Sequence, residues 1–301
     1  MLGESYGGTR AAAVLRADKV RIDGVLMFAG AVRPIGPQGD DLAYMMRLPS
    51  MATTAAFHGR SELAGRSVGE IFDHAYDYAT TDYALALIEG SEISAADAQR
   101  VAERLSALIG LPPEEILAQN LRVGVEHYVR NLLKDNNLRI GRLDTRVTGA
   151  LDAPAQAPPW DDPSMVRSEA NGGATYDDYF RDEIGFVSDR PYNSLNLGVN
   201  AAWDYGSGRA GAPNYATFIA AAMEANPALR LYSGAGYYDL GVPVAQMRYN
   251  LNHAGVPMDR VSFANYPTGH SLFEGDANLA RLTDDVRAFV RGEAVSSSGA
   301  P

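Results

Sequence analysis

The stretch that decides the fold stands near the start of the chain, where residues 2 to 8 read Leu2-Gly3-Glu4-Ser5-Tyr6-Gly7-Gly8. Five of these residues, from Gly3 to Gly7, match the pattern G-x-S-x-G. In that pattern a serine occupies a sharp turn from a strand into a helix, and its hydroxyl is exposed at the end of the strand. The motif therefore predicts a mixed α/β fold with a nucleophilic serine, Ser5, at the edge of a sheet.

The elements expected after this turn follow it along the chain. Tyr6 to Asp18 has small residues at helical spacing, which predicts a helix packed closely on a sheet. Val20 to Phe28 is apolar enough for a strand buried on both faces. We assign residues 1–42 to the first part of an α/β-hydrolase core, because turn, helix and strand follow in the order of that fold.

Residues 43–165 are predicted to form a helical insertion, the place where hydrolases of this fold carry a lid. Ser94 is placed to cap a helix over Ala95 to Ile109, and Pro113 starts another helix. The Pro- and Ala-rich stretch from Ala153 to Pro159 is typical of a linker or a rigid turn.

Residues 166–293 return to alternating strands and helices and are assigned to the second part of the core. The expected helices and strands are Tyr215 to Asn226 (capped by Asn214), Leu229 to Gly234, Met247 to Ala254, Arg260 to Tyr266 and Asp276 to Arg291. Residues 294–301 are small and polar, and we expect a disordered tail there.

Composition excludes several classes of function. The net charge of −11 argues against nucleic acid as a partner, because phosphate binding needs a concentrated basic surface. The sequence has no cysteine, so disulfides, thiolate nucleophiles and cysteine zinc sites are absent. No run of eighteen apolar residues occurs, so we predict no membrane span. His74 with Asp73 and Asp77 could suggest a metal site, but two ligands on one helix face do not make one, and we expect none.

Two later residues complete a catalytic triad with Ser5. Serine is a weak nucleophile until a base takes its proton, and a third group must orient that base. Asp239 follows one predicted strand and His270 follows the next, each in a turn-rich loop. The order Ser, Asp, His is that of α/β-hydrolases. We therefore predict Ser5 as nucleophile, His270 as general base and Asp239 as the residue that orients His270.

The sequence resembles the serine carboxypeptidases, in particular their bacterial members. The resemblance is carried by residues 3 to 8 (Gly-Glu-Ser-Tyr-Gly-Gly), by Tyr237-Tyr238-Asp239 with Val242-Pro243, and by Gly269-His270. Weaker similarities lie in residues 48 to 51, 140 to 149 and 200 to 204. The likeness extends over nearly all of this chain, but only over the later part of a complete family member. It thus implies a chain that lacks the N-terminal strands before the serine turn, so that the strand from Val20 to Phe28 would have an open edge.

The resemblance implies an activity and the roles of two further residues. The family removes C-terminal residues from peptides through an acyl-enzyme, without metal or cofactor, and its substrate has a free C-terminus. Glu4 is expected to bind the terminal carboxylate, and the Tyr6 N–H to be one donor to the oxyanion. The second donor and the partner of the Glu lie upstream of the serine in the family, so activity of this chain alone is an open question.

Two alternatives stay open at this stage. One is an esterase or acyltransferase that uses the same triad, and the other is a non-catalytic fragment that binds a partner. No basic segment followed by an apolar run starts the chain, so we expect no signal peptide in it. The resemblance implies a parent protein that is exported, periplasmic or secreted, while oligomeric state and residue preference are left open.

Overall fold

The structure, a computed structural model, describes residues 1–33, 41–153, 161–165, 173–190, 196–204 and 214–295. Over these ranges the chain has a mixed α/β fold with a parallel sheet and many helices, in agreement with the predicted fold class at that level. None of the helices in these ranges is long and apolar enough to cross a membrane.

Six strands are described, in two sheets. They are β1 (Leu2–Glu4), β2 (Gly24–Phe28), β3 (Leu138–Ile140), β4 (Thr148–Ala150), β5 (Arg230–Gly236) and β6 (Val261–Tyr266). The main sheet has the order β1-β2-β5-β6 with every pair parallel, and β3 and β4 form a separate antiparallel pair.

The register of the main sheet places the carboxyl ends of its strands at one edge. Glu4 pairs with Phe28, Phe28 with Gly234 and Gly234 with Ala264. Ligands of open α/β sheets bind outside the carboxyl ends of the strands. The loops that follow β1, β5 and β6 therefore start from the same side of the sheet.

The helices of the described ranges include twelve α-helices. They are α1 (Tyr6–Ala17), α2 (Asp41–Phe57), α3 (Val68–Thr80), α4 (Asp82–Glu89), α5 (Ala95–Ile109), α6 (Pro113–Ala118), α7 (Val125–Asn131), α8 (Gly173–Asp182), α9 (Leu197–Ala202), α10 (Ala216–Ala225), α11 (Val244–Asn252) and α12 (Asp276–Arg291).

Helices cover both faces of the main sheet. On one face α1 and α10 pack on β2 and β5 through residues such as Ala12, Met27 and Ile219. On the other face α12 closes a cluster that includes Tyr232 and Tyr266. Parallel sheets need such cover because their strands expose apolar side chains on both faces.

The helical insertion has an apolar core of its own. Helices α2 to α7 bury a cluster in which Leu105, Leu108, Ile116 and Tyr128 are at most 1% exposed. The predicted start of this insertion at residue 43 lies in the first turn of α2, which begins at Asp41. The helix Ala95–Ile109 has the predicted bounds, and Ser94 accepts the Asp97 N–H at its start.

The start of the chain differs from its prediction in two respects. The strand expected from Val20 begins only at Gly24, because the preceding residues are not buried and Val20 is 65% exposed. An open edge was expected on that strand, yet β1 is long enough to pair with β2 along Leu2–Glu4. The edge without a described neighbour is consequently on β1.

Other differences are smaller. The insertion expected to be helical also contains the β3–β4 pair. The helix predicted from Met247 begins at Val244, because Pro243 occupies its N-cap position and sets the chain direction there. The helix α12 has the predicted bounds. The predicted linker beyond residue 153, the boundary at 166 and the tail beyond residue 295 lie outside the described residues.

Candidate active site

Ser5 occupies the turn between β1 and α1 that its motif predicts. Its backbone has φ 53° and ψ −121°, a conformation that residues with side chains rarely adopt. The Ser5 N–H donates to the Phe28 carbonyl at 2.9 Å, and the Ser5 carbonyl accepts the N–H groups of Gly8 and Ala31, each at 2.9 Å. These three hydrogen bonds hold the strained turn against the end of β2, the segment after it and the first turn of α1.

Glycines make this turn sterically possible. A Cβ on Gly3 would lie 2.3 Å from the Gly7 carbonyl oxygen, and a Cβ on Gly8 would lie 2.8 Å from the Gly30 Cα. A side chain on Gly7, in contrast, would meet no atom within 4 Å. The close approach of α1 to the ends of β1 and β2 thus depends on Gly3 and Gly8.

Asp239 lies in the loop after β5 and is fully buried. Its Oδ1 accepts the backbone N–H groups of Gly241 at 2.7 Å and Val242 at 3.0 Å. The second oxygen, Oδ2, is 2.6 Å from His270 Nδ1. The loop thereby presents a fixed, negatively charged group to the imidazole.

His270 follows β6 and is oriented from two sides. An ionised carboxylate can only accept, so His270 Nδ1 carries the proton and Nε2 is left to take another. The His270 backbone N–H donates to the Leu143 carbonyl at 2.6 Å. The side chain is 17% exposed, so the ring is largely enclosed but reachable.

The pKa of His270 reflects opposing influences. Burial alone lowers it, because the charged imidazolium is poorly solvated. The charge and hydrogen bond of Asp239, with a further contribution from Glu4, outweigh burial and raise the pKa above its ordinary value. The arrangement stabilises an imidazolium, which is the species formed when a histidine takes a proton from a serine.

Glu4 and Tyr6 flank the serine on either side. Glu4 is exposed, yet the surrounding protein desolvates its carboxyl and raises its pKa, and the nearby His270 acts against this. Tyr6 is the first residue of α1, and its ring contacts Trp203 edge to face at 5.2 Å. Its N–H therefore stands at the positive end of the helix dipole, where negative charge is favoured.

The loop from Gly141 to Val147 supports the site, a role that residue types alone did not reveal. Besides Leu143, which binds His270, its Thr145 N–H donates to the Tyr238 carbonyl at 3.0 Å. A Cβ on Gly269 would lie 2.5 Å from the Leu143 carbonyl oxygen, so the glycine allows the two loops to meet. The only sequence signal was the weak similarity over residues 140 to 149.

The same loop is anchored by buried carboxylates. Asp162, whose side chain is 1% exposed, accepts the Arg142 N–H at 2.9 Å and the Ser164 N–H at 2.9 Å. Asp144 pairs with Arg146 at 2.6 Å. These bonds fix the loop that in turn fixes His270.

The structure thus brings together Asp239 and His270 by a direct bond and places Ser5 and Glu4 at the same sheet edge. Glu4 is near enough to His270 to affect its pKa. The hydrogen bonds between described residues do not include one from the Ser5 hydroxyl to His270. Such bonds are often long before substrate binds.

The possible metal ligand His74 contacts the Arg104 guanidinium instead of a carboxylate. Within the ranges that the structure describes, no group of three or more His, Asp or Glu side chains could hold a metal ion.

Comparisons with known proteins found no matching family model, no matching curated protein and no matching solved structure.

Proposed function

We propose that this chain carries the catalytic residues of a serine carboxypeptidase on an α/β-hydrolase core with a helical lid. The observation that carries the proposal is the hydrogen bond of 2.6 Å between Oδ2 of the buried Asp239 and Nδ1 of His270. It lies at the sheet edge where Ser5 occupies a strained strand-to-helix turn. The strand order β1-β2-β5-β6, with the serine after the first strand and the other two residues after the last two, supports the hydrolase assignment.

The proposed reaction proceeds through an acyl-enzyme. Ser5 Oγ attacks the carbonyl carbon of the last peptide bond while its proton moves to His270 Nε2, and the Tyr6 N–H stabilises the oxyanion. The C–N bond then breaks, and the leaving amine takes the proton from His270. Water attacks the acyl-enzyme in the second half, giving its proton to His270, which returns it to Ser5.

Glu4 favours an exopeptidase over other enzymes with the same triad. A carboxyl group beside the nucleophile with a raised pKa keeps its proton to higher pH than usual. A protonated carboxyl can donate a hydrogen bond to the terminal carboxylate of a peptide, whereas an ionised one repels it. We therefore assign Glu4 to recognition of the free C-terminus.

The first experiment is labelling of the purified chain with a fluorophosphonate, read by intact mass. We expect one adduct on the chain and none on the Ser5→Ala variant, because only an activated serine reacts. Ser91→Ala removes an exposed serine of the helical insertion and serves as the matched control, which should label normally. Labelling that survives in Ser5→Ala would remove Ser5 from the mechanism.

A second comparison separates the alternatives. A peptide with a free C-terminus is compared with the same peptide as its C-terminal amide, and a simple ester is included. A carboxypeptidase cleaves the free acid far faster than the amide. Equal rates, or cleavage of the ester alone, would assign the chain to the esterases or acyltransferases. A folded chain that neither labels nor cleaves would be a non-catalytic fragment.

A further inference from the structure

Arg146, near the end of the helical insertion, lies between the loop that carries Asp239 and the loop that carries His270. Its Nη1 donates to the carbonyl of Pro267 at 2.7 Å, and Pro267 directly follows β6. The carbon of its guanidinium is 5.3 Å from the centre of the Tyr238 ring, and Tyr238 directly precedes Asp239. One side chain therefore contacts both loops.

A buried carboxylate fixes the direction of this guanidinium. Arg146 Nε donates to Asp144 Oδ1 at 2.9 Å, and Nη2 donates to Asp144 Oδ2 at 2.6 Å. Two parallel bonds between a guanidinium and a carboxylate fix the orientation as well as the distance. Asp144 is 5% exposed, and a Cβ on Gly269 would lie 2.5 Å from the Asp144 Cβ. Asp144, packed against the residue before His270, thus directs Nη1 toward Pro267.

The positive charge of Arg146 is stabilised where it lies. The hydrogen bonds and the charge of Asp144 raise the pKa of Arg146 above its ordinary value and outweigh the effect of burial. A cation over the face of an aromatic ring is attracted by that ring, as at Tyr238. Arg146 Nη2 also lies 3.4 Å from Glu274 Oε2. The guanidinium accordingly contacts the chain on both sides of His270, at Pro267 and at Glu274.

We propose that Arg146 is a positioning residue of the triad. Its guanidinium holds the loops of Asp239 and His270 in the arrangement in which the two side chains form their hydrogen bond. Backbone bonds also join these loops, among them the bond of 3.0 Å from the Tyr238 N–H to the Thr268 carbonyl. Arg146 adds contacts of a charged side chain to them. The inference rests on the proposed function for the role of Ser5, but not for the bond between Asp239 and His270.

The first measurement is the rate constant of fluorophosphonate labelling at Ser5. We expect Arg146→Met to label about tenfold or more slowly than the parent, because a displacement of about 1 Å can cost about 10²-fold in rate. Arg146→Lys keeps the charge without the planar pair of donors, so it should recover only part of the rate. Arg100→Met removes an exposed arginine of α5 that pairs with Asp97, and it should label at the parent rate.

A double variant separates positioning from charge balance. Arg146→Met alone leaves the carboxylate of Asp144 buried without its cation, which by itself destabilises the loop. Asp144→Asn combined with Arg146→Met removes both charges, and the amide oxygen can still accept the backbone N–H that Asp144 Oδ1 accepts at 3.0 Å. We expect the double variant to label as slowly as Arg146→Met. A double variant that labels at the parent rate would overturn the proposal, because Arg146 would then serve only to neutralise Asp144.

A second measurement reads the bond between Asp239 and His270 without any reaction at Ser5. The proton on His270 Nδ1 gives a separate low-field signal in proton NMR when it is bonded to a carboxylate, and Asp239→Ala assigns the signal by removing it. We expect the signal in the parent and in Arg100→Met, and its loss or broadening in Arg146→Met and in the double variant. An unchanged signal in both variants that lack Arg146 would overturn the proposal.

The outcome is distinguishable from failure of the proposed function. A low-field signal that Arg146→Met removes would support the positioning role even if the parent did not label at Ser5. Equal labelling rates in the parent and in Arg146→Met would support the catalytic proposal and overturn the positioning role. A parent without the low-field signal would also overturn it, because there would be no bond between Asp239 and His270 to position.

Discussion

The chemistry of single residues is most informative at Glu4 and His270, because each affects the pKa of the other. His270 can act as a base only when it is neutral. Since its pKa is raised, the active fraction declines as pH falls below that raised value. Glu4 must keep its proton to bind a carboxylate, and its own raised pKa extends the pH range over which it does so. Activity therefore requires His270 without its proton and Glu4 with its proton, so it should decline toward both low and high pH.

Replacing Glu4 by Gln should shift the pH dependence of kcat/KM on a peptide with a free C-terminus. The variant has no carboxylate at any pH, so the contribution of ionised Glu4 to the raised His270 pKa is lost. The amide stays a neutral donor at all pH values, so the decline toward higher pH that comes from Glu4 ionisation should disappear. Steady-state rates across the pH range measure both effects.

Glu224→Gln is the matched control for this prediction, because Glu224 is an exposed residue of α10. Its profile should coincide with that of the parent. A Glu4→Gln profile that also coincides with the parent would show that Glu4 neither acts on His270 nor binds the carboxylate.

The protonated His270 also favours the folded state. That contribution is present below the unfolded pKa and is lost as pH rises through the raised folded value.

At the scale of elements, the junction of β1, α1 and β2 depends on Gly3 and Gly8 but not on Gly7, although Gly7 belongs to the motif. Gly8 lies outside G-x-S-x-G, yet its Cα faces the chain at Gly30 with no room for a methyl group. Gly7 belongs to the motif but faces open space. Small residues on the same helix, Ala11 and Ala12, are 4% and 0% exposed. They confirm the expectation of close packing on the sheet.

Gly8→Ala should lower the free energy of unfolding by about 1–3 kcal/mol, the usual cost of overpacking. Gly7→Ala should be neutral or stabilise by up to about 1 kcal/mol, since alanine is the better helix former. Urea unfolding followed by circular dichroism measures both. Equal destabilisation by the two substitutions would contradict this assignment of the steric requirement to Gly8.

At the scale of the whole molecule, the helical insertion and the sheet each have an apolar cluster, and a further cluster joins Met46 and Phe72 of the insertion to Tyr237 and Met247. Polar contacts also join the two parts at the candidate site. The Thr54 hydroxyl donates its proton to the Ser50 carbonyl at 2.7 Å, so the Thr145 hydroxyl is the donor in the bond of 2.6 Å between the two threonines. His58 Nε2 lies 2.8 Å from the Thr145 carbonyl. Thr145 is therefore where α2 is joined to the loop that holds His270.

A double-mutant cycle of Thr54→Val and Thr145→Val tests this junction. We expect each single substitution to cost about 1–3 kcal/mol, because it leaves a buried partner unsatisfied, and the pair to show a coupling of about 1 kcal/mol. Thr80→Val removes an exposed hydroxyl that bonds within α3 and should have little effect. Additive losses would mean that the two hydroxyls do not stabilise each other. Fluorophosphonate labelling rates should fall in both single variants if the junction positions His270.

Much of the architecture could be predicted because it is encoded locally. Helical spacing and a capping serine were sufficient for Ala95–Ile109, and helical periodicity was sufficient for Asp276–Arg291. The start of β2 was predicted four residues too early, at Val20, because Val20 is as apolar as the buried residues that follow it. Burial of a short segment depends on what covers it, and a strand of three residues such as β1 has too few side chains to show a period.

The sequence by itself determined the serine turn, the chain order of Ser5, Asp239 and His270, and the alternation of elements around them, because glycine requirements and apolar periodicity act within a few residues. Only the tertiary structure decided that Asp239 and His270 bond directly and that Leu143 holds the histidine from the end of the helical insertion. It also decided that Arg47 Nε is buried with no hydrogen-bond partner among the described residues. These contacts, and the lack of one at Arg47 Nε, depend on residues that are far apart in the chain. They depend on how whole elements pack and leave no local pattern.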